Sequence, residues 1–315
     1  MKKKHKAKMA TAFVLGKREI MKTGMCVLFF LAALLLLTGC GTERVQEKET
    51  VDGLDALGSV QVISREEGSG TRSAFAELLG FDESGEDGEP DATTKDAQIV
   101  SDAEAVITAV REDESAIGYI SMGLLSELEE EKVLAVNGVA GTTENVKSGD
   151  YSLSRPFILA WSGNLSELEQ DFLTYVKGKG QGIVEESYVA VAKESTFLSG
   201  KQTGTITIHG STSAAPLLEA LAEEYMECNP NATVEVVASD STTGLNDAMQ
   251  GLCDFGMASR KLKDYEEELL TYETIAQDGI AVIVNGQNPL ENVTQGQLKE
   301  LFTGDITEWE ALNAE

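Results

Sequence analysis

The sequence predicts an α/β fold of mixed, mainly parallel sheets flanked by helices, and three observations carry that prediction. Strand-like and helix-like runs alternate from Leu57 onward, which is the pattern of crossover connections between parallel strands. The alternation breaks once, at the polar stretch Ser195 to Gly204, and then restarts, which marks an internal linker in a chain whose length suits one two-lobed protein or two small domains. Three strand-to-helix junctions share one Gly/Ser/Thr composition, and ligands of open α/β sheets sit at such carboxyl ends of strands.

The N-terminus reads as a targeting segment. Residues Met25 to Leu37 form an unbroken apolar run behind Lys17, Arg18 and Lys22. The run is short of the roughly 20 residues of a membrane-spanning helix and fits the apolar region of a secretory signal. It ends in Leu37-Thr38-Gly39-Cys40, which resembles the bacterial lipobox. Residues 1–39 are therefore expected to be a signal peptide, Cys40 the lipidated first mature residue and 40–57 a flexible linker. The chain is then held on the extracytoplasmic face of the cell membrane. The basic stretch before Met21 is longer than a signal needs, which leaves Met21 as an alternative start.

Charge and cysteines narrow the function classes. The formal net charge is −28, and loss of residues 1–39, with eight Lys/Arg and one Glu, takes it to about −35. Nucleic-acid binding rests on basic surfaces and is excluded as an expectation. An anionic ligand would meet a repulsive field screened beyond ~8–10 Å in physiological salt, so an anion site must win locally, through aimed dipoles and buried Arg. The acidic stretch Asp82 to Asp91 reads as a solvated loop. Of four cysteines, Cys26 leaves with the signal and Cys40 is the anchor. Cys228 and Cys253 remain, as a disulfide or as two buried thiols. With no Cys-x-x-Cys and only His5 and His209, no zinc ligand set is present and neither metal nor cofactor is expected.

In chain order, Val60–Ile63 is a strand and Ser73–Leu79 a helix, with Ser64-Arg65-Glu66-Glu67-Gly68-Ser69-Gly70-Thr71-Arg72 between them. The first N–H groups of a helix lack internal partners and can face a ligand oxygen. Gly68 and Gly70 permit close backbone approach, Ser69 and Thr71 add hydroxyls, and Arg65 and Arg72 add planar donor forks. Taken alone, the stretch is an anion cradle or a plain turn. Asp102–Glu112 is a helix with Ala105, Val106, Ala109 and Val110 on one face; Ser115–Ile120 is a buried strand, and Val133–Val136 a strand closed by Asn137-Gly138. Tyr151–Ala160 is extended, since Pro156 excludes a helix interior, and Leu165–Lys177 is a helix.

After the break, Thr205–Ile208 is a strand, Gly210–Ser213 a turn, and a helix with Pro216 in its first turn runs to Glu227. Thr233–Val237 is a strand, Ser241–Gly244 a second turn and Leu245–Gly251 a helix. Asp254–Ala258 is a strand ending at Ser259-Arg260, and Ile280–Asn285 is another buried strand. Ser and Thr are common N-caps whatever the function. Three such turns with Arg65 and Arg260 at strand ends point to a site closed on a small oxyanion, whose oxygens accept hydroxyl, N–H and bidentate guanidinium bonds.

Gly210-Ser211-Thr212-Ser213-Ala214-Ala215-Pro216, Asp254–Arg260, Asp278–Asn285, Leu301–Trp309, Arg65–Arg72 and Ala116–Tyr119 together resemble the phosphate-binding lipoproteins of the bacterial high-affinity phosphate ABC transporter. The resemblance implies a two-lobed periplasmic-binding-protein-like (type II) fold, with lobes of 58–159 plus 281–315 and of 160–280, and hinge crossings in Ser152–Leu159 and Asp278–Asn285. It also implies inorganic phosphate as ligand and ABC permease subunits as partners, in a monomer that is not an enzyme. The motif order differs from the family's: the Arg65–Thr71 half precedes the Gly210–Ser213 half. The chain therefore resembles a circular permutant rejoined through Ser195–Gly204, and the residues near Leu57 and Glu315 should be neighbours. Two fused half-proteins that need partners are the rival reading.

Carried over by motif, the ligand-binding residues are Arg65, Ser69, Gly70, Thr71, Ser211, Thr212, Ser213, Ser241, Ser259 and Arg260. Asp240 stands where the family has Gly, and Thr242-Thr243 replace a Ser/Gly pair. Arg260 stands where some members carry an Asp that accepts the proton of monohydrogen phosphate and so excludes sulfate. That departure leaves another tetrahedral oxyanion open as ligand, and Asp240 or a structural Asp254 as substitutes. An anion-sensing or surface lipoprotein without a transport partner is the remaining alternative. Catalysis lacks its parts: Lys147-Ser148-Gly149 has no Ser-x-x-Lys to join, and a Ser–His pair would need His209, which is alone and sits inside a strand.

Overall fold

The computed structural model describes residues 53–82 and 91–314. The signal peptide, Met21, Cys26, Cys40, most of the linker and the centre of the acidic loop lie outside the described residues. The first lobe opens with β1 (Gln61–Arg65), α1 (Gly70–Leu79), β2 (Gln98–Val100), α2 (Ala103–Glu112) and β3 (Ala116–Ser121). Next come β4 (Lys132–Val133), β5 (Ala135–Val136) and α3 (Thr143–Ser148). Then follow β6 (Ser154–Trp161), α4 (Glu167–Lys177), α5 (Gln181–Ser187), β7 (Val189–Ala190), β8 (Gly204–Ser211) and α6 (Ala215–Cys228). The chain continues with β9 (Ala232–Ser239), α7 (Ser241–Gln250), β10 (Phe255–Ala258) and α8 (Asp264–Leu269). The long β11 (Thr271–Val284) returns to the first lobe, which ends with β12 (Asn292–Val293) and α9 (Gln295–Thr303).

One curled sheet runs β2-β1-β3-β11-β6-β10-β8-β9 through both lobes. Its ends are parallel, as the alternation requires: β1 pairs with β2 and β3, and β8 with β9 and β10. Its centre is antiparallel, because β11 pairs with β3 through its second half and with β6 through its first. The expected strand Ile280–Asn285 is thus only the second half of a 14-residue strand. The polar residues Thr271, Glu273, Gln277 and Asp278 conceal the first half from a hydrophobic pattern search.

Two main hydrophobic cores lie on either side of this crossing. One joins Val62, Phe75, Val106, Ile117, Tyr119 and Leu153 to Ile280–Val284, Phe302 and Trp309; the other joins Phe157, Phe172, Tyr225, Ile208, Leu221, Phe255 and Ile275. Phe157 and Leu159 pack in the second core, so β6 associates with the Gly210–Ser213 side from its first residues, where Ile158 faces Ala258 of β10. The two chain crossings lie side by side: the Ile280 N–H donates to the Leu153 carbonyl at 2.7 Å, and Gly279 faces Ser154.

Three local expectations change. Residues Leu54–Ala56, assigned to the linker, form a 3-10 turn whose Leu54 is buried in the first core with Leu312. Val133–Val136 is not one strand: β4 pairs with β11 and β5 with β12, because Leu134 turns fully inward between them. Ser241–Gly244 is the first turn of α7 rather than a loop, since Asp240 caps the helix by accepting the Thr243 N–H at 2.8 Å. The two ends of the described chain meet: Val60 N–H donates to the Thr307 carbonyl at 2.8 Å and Trp309 N–H to the Gly58 carbonyl at 3.0 Å. Ser195–Gly204 carries no helix or strand before β8, yet Phe197 packs edge-on against Tyr175. Cys228 and Cys253 are free thiols.

Candidate functional site

Nine of the ten expected ligand residues converge on the cleft between the lobes. The first lobe supplies the end of β1 and the start of α1. Ser69 caps α1 by accepting the Arg72 N–H, and Gly70 and Thr71 are its first two residues. Arg65 is 2% exposed. Its Nε and Nη2 donate to the two Glu66 carboxylate oxygens at 2.9 and 2.8 Å, and Nη2 also donates to the Ser101 carbonyl at 2.8 Å. Tyr119, whose phenol is pushed up by burial, accepts the Arg65 N–H at 3.2 Å and shares a hydrogen bond with Ser64 at 2.8 Å. These contacts fix the end of β1.

The second lobe answers with three elements. Ser211, Thr212 and Ser213 leave the end of β8, Ser241 opens α7, and Ser259 follows β10. Ser211 Oγ donates to Ser259 Oγ at 2.8 Å, and Ser259 N–H donates to Ser241 Oγ at 3.1 Å. Close backbone approach makes this possible: a Cβ on Gly244 would lie 2.4 Å from the Cα of Gly210, so only glycine lets α7 rest on β8.

The lobes touch through the same residues. Thr71 Oγ1 and Ser213 Oγ are 2.7 Å apart, Arg65 Nη2 donates to Thr212 Oγ1 at 3.0 Å, and both the N–H and the hydroxyl of Thr242 reach the Gly68 carbonyl at 3.3 Å. A Cβ on Gly70 would lie 2.1 Å from Ser241 Oγ and 2.6 Å from Ser259 Oγ. Outside this buried cluster a groove of about 880 Å³ opens between the lobes, with Gly68, Asp240, Thr242, Arg260 and Lys261 on its walls. Lys261 Nζ and Glu77 Oε1 span it at 2.6 Å.

Arg260 is the tenth residue and lines the groove beside the cluster rather than joining it. Its Nη1 and Nη2 engage both oxygens of Glu266 at 2.7 and 2.8 Å, and Nη2 reaches Thr242 Oγ1 at 3.3 Å. Burial alone would raise the Glu266 carboxyl, but hydrogen bonds from Arg260, the Lys263 N–H and Tyr265 outweigh it and hold the carboxyl below the usual range. Arg72 is likewise committed to a carboxylate, with Nε and Nη2 on Asp91 at 2.7 and 2.9 Å. Asp240 caps α7, and Asp254 accepts from the Thr207 N–H and hydroxyl at 2.7 and 2.8 Å. His209 sits within β8 and pairs with Asp247 at 2.9 Å.

Sequence reading missed three participants: Ser101, whose carbonyl orients Arg65; Thr242, which closes on Gly68; and Arg155, whose Nη1 donates to the Ser259 carbonyl at 3.2 Å. Only Thr242 left a signal, as part of the Ser241–Gly244 stretch. Arg155 and Ser101 reach the site through pairings distant in sequence.

The arrangement offers hydroxyls and helix-start N–H groups from both lobes around one guanidinium, the donor set for a small oxyanion. A family model described as a PBP superfamily domain matches residues 48–178 and 195–315. The chain is 38% identical over 279 residues to phosphate-binding protein PstS 2 of Streptococcus pneumoniae (strain TIGR4), spanning 88% of this chain and 94% of that protein. It is 38% identical over 283 residues to PstS 2 of Streptococcus agalactiae (strain 2603 V/R), spanning 88% and 93%. It matches phosphate-binding protein PstS of Bacillus subtilis at 33% identity over 115 residues, 36% of this chain and 38% of that one. The crystal structure of a phosphate ABC transporter phosphate-binding protein from S. pneumoniae TIGR4 superposes with a TM-score of 0.68 at 39% identity, covering 81% of this chain and 99% of that one.

Proposed function

The chain belongs to the PBP superfamily and, within it, to the family of the PstS phosphate-binding proteins, and on that basis we propose that it captures inorganic phosphate between its two lobes and delivers it to an ABC permease. The observation that carries this reading is the meeting of Arg65, Ser69, Gly70 and Thr71 with Ser211, Thr212, Ser213, Ser241 and Ser259 in one cluster, buried but for the half-buried Thr212. Phosphate would replace the hydroxyl-to-hydroxyl bonds across the cleft with bonds to its own oxygens. Arg65, held flat by Glu66 and Ser101, would present its remaining donors. Buried dipoles offset the long-range repulsion of the acidic chain, because they act inside the screening length.

In this reading the protein is a monomer, is not an enzyme and works on the extracytoplasmic face, tethered by lipid on Cys40. The tether rests on Leu37-Thr38-Gly39-Cys40 behind an apolar run. The lobes are 58–159 plus 281–315 and 160–280, with Ser154–Leu159 leaning to the latter by its packing. In this reading the segment order is a rotation of that in family members whose Gly-Ser-Thr-Ser segment comes first. Two facts support the rotation: the ends of the described chain meet, and the B. subtilis relative aligns over 115 residues only. The streptococcal relatives align along 88% of the chain and so share its order.

The Arg260–Glu266 pair favours a wider anion range as a second reading. Glu66, Asp91 and Glu266 are each committed to an arginine, which leaves hydroxyls, able to donate or accept, beside Arg65 as the side chains that face the ligand. Titration calorimetry with phosphate, arsenate, sulfate and molybdate between pH 5 and 8 tests both readings. Tight binding of phosphate above sulfate supports phosphate capture, equal binding supports the wider range, and no anion binding refutes the site.

A further inference from the structure

Arg155 and Asp278 face each other on β6 and β11, where the chain passes between lobes, and are 2% and 1% exposed. Arg155 Nε and Nη2 donate to Asp278 Oδ2 at 3.0 and 2.9 Å, while Ser121, at the end of β3, donates its hydroxyl to Asp278 Oδ1 at 3.0 Å. The third arm, Arg155 Nη1, donates to the Ser259 carbonyl at 3.2 Å. One chain of polar contacts therefore runs from the first lobe, through both crossing strands, to the segment that presents Ser259 to Ser211 and Ser241. Burial pushes the Asp278 carboxyl up and the Arg155 guanidinium down, and their mutual attraction opposes both shifts. A buried pair of this kind is weak evidence for stability, since its desolvation rivals its attraction.

We propose that Arg155 is a positioning residue for anion binding: with Asp278 and Ser121 it fixes the Ser259 segment relative to the crossing strands, so that closure of the lobes and assembly of the second lobe's hydroxyls are one event. The inference rests on the proposed anion reading of the cleft. Arg65 holds the first lobe's side of the cluster through Glu66 and Ser101, and Arg155 does the same for the second lobe through a backbone carbonyl. The direction of the contact matters. Arg155 grips the Ser259 carbonyl, and the Ser259 N–H and hydroxyl remain turned to Ser241 and Ser211.

The test replaces the pair as a unit, Arg155→Met with Asp278→Leu, because an apolar substitution of a whole buried pair is often neutral for stability while removal of one partner is not. Phosphate affinity is measured by calorimetry on the wild type and the double variant, with melting temperature as the control. The expected result is an unchanged or higher melting temperature with affinity lower by at least about tenfold, the size of one lost charge-assisted hydrogen bond. Equal affinity in a folded double variant would overturn the inference. Arg155→Lys serves as the second variant, since it keeps the charge but cannot reach Asp278 and Ser259 together. It is expected to fold and to lose affinity, and wild-type affinity in it overturns the proposal as well. Failure of the wild type to bind any anion would instead refute the reading of the cleft on which the inference rests.

Discussion

Thr71 Oγ1 and Ser213 Oγ lie 2.7 Å apart, although 142 residues separate them in the chain. Each is 2% exposed and each sits just before or within the start of a helix from a different lobe. Their contact places two helix N-termini against one point, which is where an anion gains most from backbone dipoles.

Arg65 bonds directly across this cluster, through Thr212. Arg65→Ala is expected to cost about 2–5 kcal/mol of phosphate binding, since it leaves a buried anion unpaired, or on the order of 30- to 4,000-fold in affinity. Titration calorimetry measures it, and unchanged affinity would exclude Arg65 from the site.

Gly70 tests closure. A methyl group there meets Ser241 Oγ at 2.1 Å and Ser259 Oγ at 2.6 Å, both from the opposite lobe. Gly70→Ala should therefore hold the lobes apart, at a cost comparable to overpacking of about 1–3 kcal/mol, expressed as weaker binding. Small-angle scattering with saturating phosphate should show the variant more extended than the wild type. Identical scattering curves would count against a closing cleft.

Arg260 separates a ligand role from a structural one. With Glu266 fully buried, Arg260→Ala strands a carboxylate and is expected to lower stability by about 3–5 kcal/mol. Chemical denaturation of the variant checks this. A variant that keeps its stability but loses phosphate affinity would return Arg260 to the ligand set.

Glu266 also sets a pH dependence. Its folded-state value lies below the ordinary 4.5, so the folded protein holds fewer protons on this group than the unfolded chain. The stabilisation is fully present above the ordinary value and is lost as pH falls through the lower folded value. Melting temperature should therefore fall with acidification below about pH 4.5, and Glu266→Gln should flatten that slope. An equally steep slope in the variant would assign the effect to other carboxylates.

Much of this molecule is legible in its sequence because the signals are local. Alternating apolar runs give the strands and helices, and Ser69, Gly70, Thr71 and Ser211–Ser213 announce their positions through strand–turn–helix context. Hydroxyls at helix starts are placed by the same few residues that form the helix, so no distant contact is needed to find them. The length of β11 and the split of Val133–Val136 were not legible. Both depend on which neighbour the backbone finds, and polar residues such as Asp278 hide a buried strand from any hydrophobic count.

The sequence by itself determined the α/β class, the three Gly/Ser/Thr turns and the donor chemistry that converges at the cleft. Only the tertiary structure decided how the arginines are used. Arg260, which stands directly after Ser259 in sequence, is drawn away by Glu266, while Arg155, distant from every motif, reaches the Ser259 carbonyl. A guanidinium reaches several ångströms from its backbone and goes to the nearest buried acceptor that compensates its desolvation. The register between β6 and β11, rather than local sequence, selects that acceptor.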